Sequence, residues 1–219
     1  MKLALFDLDH TLLPIDSDYS WGVYTTDIGW TDNDEFRRRN DEFYAHYQAG
    51  TLDIHDYVRF STQATRLKGP QEAARAHADF MATRVQPHIT PQALDLIRGH
   101  AGEQVIIVTA TNEFITRPIA TALGVHELIA VELERDPLGW ITGEIKGTPS
   151  FREGKVTRVN QWLVDRQLAW DDVEMTFYSD SINDLALLEK ATHPVATNPD
   201  ARLRALATER GWRILDLFT

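Results

Sequence analysis

The sequence has no cysteine and no apolar run long enough to cross a membrane. The absence of cysteine excludes disulfide bonds and a thiol nucleophile, but it does not identify a compartment. A membrane-spanning helix needs about 20 mostly apolar residues, so no membrane partner is expected. The N-terminal apolar run is interrupted by Asp7 and Asp9 before a signal-peptide core could form. These absences predict a cytoplasmic protein.

Basic residues are also few, with 22 Lys and Arg against 33 Asp and Glu, and the formal net charge is −11 at pH 7. The acidic residues are spread along the chain, which argues against a nucleic-acid partner. A negative field repels an anionic substrate. Such a substrate would therefore need a bound cation or basic groups close to its site.

The 219 residues, 43% of them hydrophobic, are enough for one substantial core and a smaller module. Four short apolar runs end abruptly in polar residues, and they lie at 3–6, 105–108, 175–178 and 194–196. Such runs are typical of buried parallel strands. Helical patterns lie between them, for example at 91–100 and 156–166. Strands that alternate with helices predict an α/β fold with a doubly wound, Rossmann-like parallel sheet core.

Two segments depart from this alternation. Residues 16–86 contain no convincing strand pattern and predict an inserted small all-helical cap domain, which leaves 1–15 and 87–219 as the α/β core. Residues 128–145 have strand-like content on both sides of a turn beginning at Asp136, and they predict a hairpin appended to the core.

Polar residues follow three of the predicted strands. They are Asp7, Asp9 and Thr11 after the first, Thr109, Ala110, Thr111 and Asn112 after the second, and Ser179, Asp180, Asn183 and Asp184 after the third. Ligands of open α/β sheets bind beyond the carboxyl ends of the strands. Each strand end therefore supplies part of one candidate site.

The pair Asp7 and Asp9 can point the same way from the end of a strand. One carboxylate could then attack phosphorus while the other handles the proton of the leaving group. Asp7 and Asp180 would repel each other if brought together, and Mg²⁺, which prefers oxygen ligands, would relieve that repulsion and neutralise a phosphate. The alternative is that Asp7 and Asp9 only cap a turn.

Thr109 and Lys155 are candidate phosphate-binding residues. A hydroxyl group at a helix N-terminus makes an anion site, although Thr109 could equally be an ordinary N-cap. Lys155 begins a predicted helix, where its charge opposes the helix dipole, so a role in holding phosphate is one interpretation and a solvated surface lysine is another. Lys146 is the competing lysine. Asp180 and Asp184 could also be plain helix N-terminal carboxylates.

Taken together, these positions resemble the four motifs of the haloacid dehalogenase (HAD) superfamily. DLDHTL at 7–12 is similar to the first motif, Thr109 to the second, Lys155 to the third and SDSIND at 179–184 to the fourth. The insertion between the first and second motifs and the segment REGKVTRVNQWL resemble the branch of phosphoserine phosphatases, subfamily IB, which has a helical cap.

The resemblance implies a role for each motif residue. It implies that Asp7 is the nucleophile that becomes phosphorylated, that Asp9 is general acid and then base, and that Thr109 and Lys155 hold the phosphoryl group. It further implies that Asp7, Asp180 and the backbone carbonyl group of Asp9 bind Mg²⁺ and that Asp184 supports the metal. Asn183 is expected to contact phosphate, and Ala110 is a further candidate for phosphate binding. The expected function is a phosphomonoester hydrolase.

The substrate is less well defined by these motifs. Thr109-Ala110-Thr111 and Ser179 depart from the phosphoserine phosphatase pattern. Asp16 or Asp18 could hold a substrate amine and Arg59 or Arg66 a carboxylate, or all four could be charged residues on solvated helix faces. Aromatic residues of the cap could line a pocket or form its core, namely Tyr19, Trp21 and Phe43. A closing cap suits a small phosphorylated metabolite such as phosphoserine or histidinol phosphate.

Three other functions were compatible with parts of the pattern. A phosphoacceptor signalling domain uses clustered aspartates and Mg²⁺, but it places the phosphorylated aspartate after a later strand and is shorter. A phosphotransferase would pass the phosphoryl group from Asp7 to an alcohol instead of water. A non-catalytic binding relative is disfavoured because all four motif positions are filled.

Overall fold

The computed structural model describes residues 1–218, except for the side chain of residue 33. Within this range the strands are β1 (Lys2–Phe6), β2 (Gln104–Asn112), β3 (Glu127–Val131), β4 (Leu133–Arg135), β5 (Ile141–Ile145), β6 (Glu174–Ser179), β7 (His193–Thr197) and β8 (Arg213–Leu215). The α-helices are α1 (Ser17–Asp27), α2 (Asn33–Ala49), α3 (Ile54–Lys68), α4 (Pro70–Phe80), α5 (Pro91–Arg98), α6 (Glu113–Ala122), α7 (Glu153–Val164), α8 (Leu185–Leu188) and α9 (Ala201–Arg210).

Six strands form one parallel sheet in the order β3-β2-β1-β6-β7-β8. Strand β1 lies in the middle, between β2 and β6, so the ends of these three strands lie side by side. The sheet carries one apolar cluster on each face, centred on Phe6 and Ile107 on one side and on Leu5 and Phe177 on the other. Burial on both faces explains why the strands read as continuous apolar runs. The doubly wound α/β fold is confirmed.

The four predicted strand runs are confirmed, and β1, β2, β6 and β7 each extend beyond them. The single hairpin predicted for residues 128–145 is wrong in its first half. Residues Glu127–Val131 form β3, a parallel edge strand of the main sheet, and only β4 and β5 form an antiparallel hairpin. The short strand β8 was not predicted from the sequence, because Arg213, Ile214 and Leu215 show no apolar run distinct from their neighbours.

The inserted segment is helical, as its pattern predicts. It comprises α1 to α4, followed by one π-helical turn at Met81–Val85. Helices α1 and α4 contribute Trp21 and Phe80 to the apolar cluster of the sheet. Helix α3 instead packs on the hairpin, where Val58 joins Leu133 and Ile141 in a third cluster. The domain boundaries at residues 16 and 86 stay a prediction.

Side chains of the sequence itself begin and end several of these helices. Asp16 caps α1 by accepting a hydrogen bond from the backbone N–H of Tyr19, and Asp53 caps α3 in the same way. Helix α2 ends at Gly50, whose φ of 73° is the left-handed conformation that glycine adopts without strain. Across residues 1–218, no helix is both long and apolar enough to cross a membrane.

Candidate active site

The end of β1 places Asp7 at the centre of the site. The strand pairing continues one residue beyond β1, since the Asp7 backbone N–H donates to the Tyr178 carbonyl group at 2.9 Å. The chain then turns around the Leu8 carbonyl group, which accepts hydrogen bonds from the N–H groups of Thr11, Leu12 and Leu13. This turn brings Thr11 back beneath the carboxylate of Asp7, which is 6% exposed.

The Thr11 hydroxyl group lies between two carboxylates. Its Oγ1 atom is 3.3 Å from Asp7 Oδ2 and 3.4 Å from Asp180 Oδ1, and it accepts a hydrogen bond from the Asp180 N–H at 3.1 Å. Asp7 and Asp180 therefore face the same small space, although they are 173 positions apart in the sequence. The ends of β1 and β6 meet here.

Lys155 joins Asp7 to Asp184 by a buried pair of ionic contacts. Its Nζ atom is 2.7 Å from Asp7 Oδ1 and 2.7 Å from Asp184 Oδ2, and the side chain is 2% exposed. Asp184 Oδ2 also accepts a hydrogen bond from Ser179 at 2.7 Å. Lys155 lies in the first turn of α7, where a positive charge is unfavourable to the helix dipole. Its position therefore does not stabilise this helix.

A tight turn positions the start of α7. An added Cβ at Gly154 would lie 2.0 Å from the backbone carbonyl oxygen of Pro149, so only glycine fits there. Ser150 in the same turn donates to the Thr109 carbonyl group at 2.6 Å. This hydrogen bond ties the turn before Lys155 to the end of β2.

Asp9 is held in one orientation by two donors. Its Oδ1 atom accepts a hydrogen bond from the Ser17 N–H at 2.8 Å, and its Oδ2 atom accepts one from the Thr111 hydroxyl group at 2.8 Å. The Thr109 hydroxyl group in turn accepts a hydrogen bond from the Thr111 N–H at 3.1 Å. Strand β2 and helix α1 together fix the second carboxylate beside the first.

The carboxyl groups of Asp7, Asp9 and Asp180 have raised pKa values. Burial raises the pKa of Asp7 to about 7, although Lys155 opposes this shift. Burial and then the charge of Asp16 raise the pKa of Asp9 to about 6. Burial followed by the charges of Asp7 and Asp184 raises the pKa of Asp180 well above its usual range. Burial lowers the pKa of Lys155, but Asp184 and Asp7 outweigh it and raise the pKa overall, so this residue stays protonated.

The oxygen atoms around Asp7 suit a hard cation. Asp7 and Asp180 both lie at the Thr11 hydroxyl group, and burial is the main cause of their raised pKa values, so a cation bound there would favour their ionised forms. Among residues 1–218, no three acidic or histidine side chains form a metal cluster by themselves. A cation here would therefore use two carboxylates and a backbone carbonyl group, an oxygen-only set of the kind that Mg²⁺ accepts together with water.

A pocket opens above Asp7 and Asp9 and is bounded by the inserted helices. It is lined by Thr109, Ala110, Asp16 and Asp18. Aromatic residues of α2 and α3 also line it together with Phe151, namely Phe43, Tyr44, Tyr47 and Tyr57. Of the candidates named from the sequence, the structure thus brings together Asp7, Asp9, Asp16, Asp18, Phe43, Thr109, Ala110, Lys155, Asp180 and Asp184.

Other candidates lie elsewhere. Arg59 is on the outside of α3, where it pairs with Glu144 at 2.9 Å and Asp56 at 3.0 Å, and it does not line the pocket. Arg66 donates to the Thr142 carbonyl group of the hairpin at 2.6 Å. Asn183 donates to the Tyr47 carbonyl group at 3.0 Å and so contacts the end of α2.

The remaining named candidates serve packing or the surface. Trp21 is 1% exposed and stacks within the apolar core, whereas Tyr19 donates to Asp41 at the surface. Lys146 pairs with Glu132 on the exposed side of the hairpin. The structure thus favours Lys155 over Lys146 as the lysine of the site.

Sequence reasoning missed the hydroxyl groups that orient the carboxylates. Thr11 and Thr111 were noted only as polar residues after strands, and Ser150 was not noted at all. The sequence signal that could have identified Thr11 and Thr111 is the position of each hydroxyl residue, two residues after Asp9 and two residues after Thr109. Tyr47 and Tyr57 were also missed, because aromatic residues on cap helices give no sign of whether they face a core or a pocket.

A buried carboxylate that follows a central parallel strand, with a second carboxylate and a buried lysine beside it, is the arrangement of a hydrolase site in an α/β fold. Residues 4–189 match the haloacid dehalogenase-like hydrolase family. The chain belongs to this family.

Three relatives illustrate the likeness. The chain is 42% identical to a protein named histidinol-phosphatase from Neisseria meningitidis, over 98% of each chain. It is 50% identical to a protein of unknown function from Bordetella pertussis Tohama I, whose crystal structure superposes with a TM-score of 0.93 and 99% coverage of each chain. A substrate-bound phosphoserine phosphatase structure shares the fold, with a TM-score of 0.66, 18% identity and coverage of 98% and 92%.

Proposed function

We propose that the protein is a Mg²⁺-dependent phosphomonoester hydrolase that acts on a small phosphorylated metabolite through a phosphorylated Asp7. The observation that carries the proposal is the buried contact of Lys155 with Asp7 and Asp184 beside the oriented carboxylate of Asp9. A nucleophile, an acid and base and a fixed positive charge lie together at the floor of one pocket. These are the groups that substitution at phosphorus requires.

In the first step an Asp7 carboxylate oxygen attacks phosphorus and the bond to the ester oxygen breaks. The leaving alcohol takes a proton from Asp9, whose pKa of about 6 lets a fraction of the groups carry a proton near neutral pH. Lys155 and the end of β2 hold the negative oxygens of the phosphoryl group. The products are an alcohol and an aspartyl phosphate.

In the second step the ionised Asp9 removes a proton from a water molecule, which attacks the phosphorus atom. The bond between phosphorus and Asp7 breaks, and inorganic phosphate leaves. Asp9 recovers its proton and Asp7 its carboxylate, so the enzyme returns to its starting state. The hydrogen bonds from Ser17 and Thr111 keep Asp9 in place through both steps.

Mg²⁺ would be held by Asp7, Asp180 and the carbonyl group of Asp9. When bound, it supplies positive charge that offsets the repulsion between the carboxylates and the phosphate. Asp184 would support the metal site without binding the metal, because its Oδ2 atom contacts Lys155 and Ser179.

The relatives suggest which esters to test first. The Neisseria protein that matches over nearly its whole length is named for histidinol phosphate, and the structural neighbour of the same fold is named for phosphoserine. Both names describe small phosphorylated amines. A pocket bounded by inserted helices fits molecules of this size.

The proposal is tested by phosphate release from a panel of small phosphomonoesters with Mg²⁺ and with a chelator. Asp7→Asn and Asp9→Asn are compared with the wild type, and Asp56→Asn is the matched control because its carboxylate is exposed and pairs with Arg59 away from the pocket. We expect metal-dependent turnover that Asp7→Asn abolishes and that the control retains. Turnover that survives Asp7→Asn would contradict the mechanism, and an alcohol-dependent transfer of phosphate would identify a phosphotransferase instead.

A further inference from the structure

The last turn of α2 borders two cavities of the protein. The first is the pocket above Asp7 and Asp9, and the second is a cavity of about 260 Å³ that Asp180 lines. Tyr44 and Tyr47 line both cavities. Because the same two tyrosines face both spaces, the turn that carries them is part of the wall of the pocket. The position of this turn therefore determines part of the shape of the pocket.

A side chain of the core binds the carbonyl end of α2. The last carbonyl groups of a helix have no donor within the helix. Backbone N–H groups that follow α2 donate to the carbonyl groups of His46 and Tyr47. The Gln48 carbonyl group instead accepts a hydrogen bond from the guanidinium group of Arg202, in α9, at 2.6 Å. Arg202 thus joins the end of a cap helix to a helix of the core.

The positive charge at this end of α2 comes from the core. The carbonyl end of a helix carries a negative partial charge, which a cation stabilises. The last turn of α2 has His46 as its basic residue and contains no lysine or arginine. Arg202 lies at this end, and so does Arg152, whose Nη2 atom would be 3.1 Å from a Cβ added at Gly50. Both arginines belong to segments distant from α2 in the sequence.

The end of α2 also lies close to the acidic groups of the site. Asn183 donates to the Tyr47 carbonyl group at 3.0 Å, and Asp180 lines the second cavity together with Tyr47. The negative end of a helix repels carboxylates and a bound phosphate. A cation at the helix end offsets this repulsion, and Arg202 supplies one.

The middle of α2 is held by other contacts. Asn40 donates to the Tyr19 carbonyl group at 3.3 Å, and the Tyr19 hydroxyl group donates to Asp41 at 2.8 Å. These hydrogen bonds attach α2 to α1 about two turns before its end. Loss of the Arg202 side chain should therefore loosen the last turn of α2 without detaching the helix.

We propose that Arg202 is a positioning residue of the substrate pocket, which it shapes by holding the last turn of α2 at the Gln48 carbonyl group. Arg202 lines the second cavity and not the pocket, so it acts through Tyr44 and Tyr47. The inference rests on the proposed hydrolysis of phosphomonoesters. It adds to that site a residue of α9 that contacts none of the reacting groups.

Steady-state kinetics distinguish this role from a general loss of structure. The ring of p-nitrophenyl phosphate would lie against the aromatic side chains of α2, whereas inorganic phosphate needs only the groups around Asp7. In Arg202→Gln we expect KM for the ester to rise about fivefold, since a hydrogen bond from an exposed charged donor contributes less than a buried one. Both kcat and the inhibition constant of inorganic phosphate should stay within about twofold of the wild type.

Two further variants serve as controls. Arg202→Lys should recover part of the loss, because an ammonium group can also donate to the Gln48 carbonyl group. Arg204→Gln removes a neighbouring arginine of α9 that pairs with Asp216, and it should leave KM at the wild-type value. An unchanged KM in Arg202→Gln, or an equal rise in Arg204→Gln, would overturn the inference.

Hydrogen exchange gives a readout that needs no turnover. In the metal-free protein, the amides of residues 44–51 should exchange about fivefold faster in Arg202→Gln than in the wild type, while those of residues 36–42 keep the wild-type rate. Unchanged exchange at 44–51 would show that Arg202 does not hold the end of α2. Absence of ester hydrolysis in every protein, with faster exchange in Arg202→Gln, would contradict the proposed function and support the hold of Arg202 on α2.

Discussion

Lys155 and the two carboxylates beside it stabilise one another's ionised forms. Lys155 is buried between Asp7 and Asp184, and each carboxylate lies 2.7 Å from the ammonium group. Within residues 1–218, Asp9 forms no ion pair with a lysine or arginine and accepts hydrogen bonds from the neutral donors Ser17 and Thr111. Two carboxylates that are two residues apart thus have different partners, which is what the proposed roles of nucleophile for Asp7 and acid and base for Asp9 require.

Replacing Lys155 with Met should destabilise the protein as well as abolish turnover. The change leaves Asp7 and Asp184 buried without their shared cation, and breaking a buried ion pair in this way costs about 3–5 kcal/mol of unfolding free energy. Urea unfolding in the presence of a chelator measures the loss. Lys146→Met is the control, because Lys146 forms an exposed contact with Glu132. An inactive Lys155→Met protein of unchanged stability would show that the lysine does not balance these charges.

Replacing Asp9 with Asn should separate the two chemical steps. An ester with a very acidic leaving group, such as p-nitrophenyl phosphate, needs little protonation, so the first step continues while hydrolysis of the aspartyl phosphate slows by about 10²–10⁴-fold. We expect a burst of one equivalent of nitrophenol followed by slow turnover in stopped-flow absorbance. Asp7→Asn should give no burst. A steady state as fast as the wild type would exclude Asp9 as the base.

At the level of secondary structure, the site is assembled from places where elements begin and end. Asp7 and Asp180 directly follow β1 and β6, and Thr109 lies within the C-terminal half of the neighbouring strand β2. Helix α7 adds Lys155 from its first turn, and the turn before it is bound to the end of β2 by Ser150. The position of the lysine therefore depends on the turn that precedes α7.

Gly154→Ala should disturb Lys155 without removing a polar group. The new methyl group would lie 2.0 Å from the Pro149 carbonyl oxygen, so the start of α7 must shift. We expect at least about a tenfold loss of kcat/KM, since small displacements of catalytic groups are costly, together with lower thermal stability. Thr157→Ala, at an exposed position one turn further along α7, should change neither. Wild-type activity in Gly154→Ala would show that this turn does not position the lysine.

At the level of the whole molecule, two kinds of contact close the pocket. Helices α1 and α4 pack on the sheet, and α3 packs on the hairpin of β4 and β5. Burial raises the pKa values of Asp7, Asp9 and Asp16. Ionisation of these carboxyl groups therefore lowers the free energy of unfolding of the metal-free protein.

This cost predicts how stability depends on pH. The pKa of Asp9 is about 6 in the folded protein against 3.8 for an ordinary aspartate, so the folded state binds more protons than the unfolded state between these values. The free energy of unfolding therefore decreases as the pH rises from about 4 to about 6. In Asp9→Asn this contribution is absent, and the variant should gain about 3 kcal/mol relative to the wild type across that window.

Chemical denaturation at several pH values with a chelator measures this difference. Glu144→Gln is a control of opposite sign, because Arg59 lowers the pKa of Glu144 in the folded protein and its contribution is lost as the pH falls. Parallel curves for the wild type and Asp9→Asn between pH 4 and pH 6 would contradict the raised pKa of Asp9.

The sequence by itself determined the fold class and the catalytic motif. Burial on both faces makes the central strands continuous apolar runs, and the abrupt change to polar residues at their ends marks one edge of the sheet. These patterns are local, so Asp7, Asp9 and Asp180 could be named without coordinates. The family resemblance depends on the same residues and their order in the chain.

Only the tertiary structure decided which residues complete the site. Lys155 and Lys146 were both candidates until the packing of α7 brought Lys155 to Asp7. Glu127–Val131 pairs in parallel with β2 of the main sheet. Helix α6 lies between these two strands in the sequence, so no hairpin turn joins them. Arg59 paired with Glu144 of the hairpin, whereas Asp18 and Tyr57 became neighbours in the lining of the pocket. Each outcome depends on contacts between residues distant in the chain, and no local periodicity encodes such contacts.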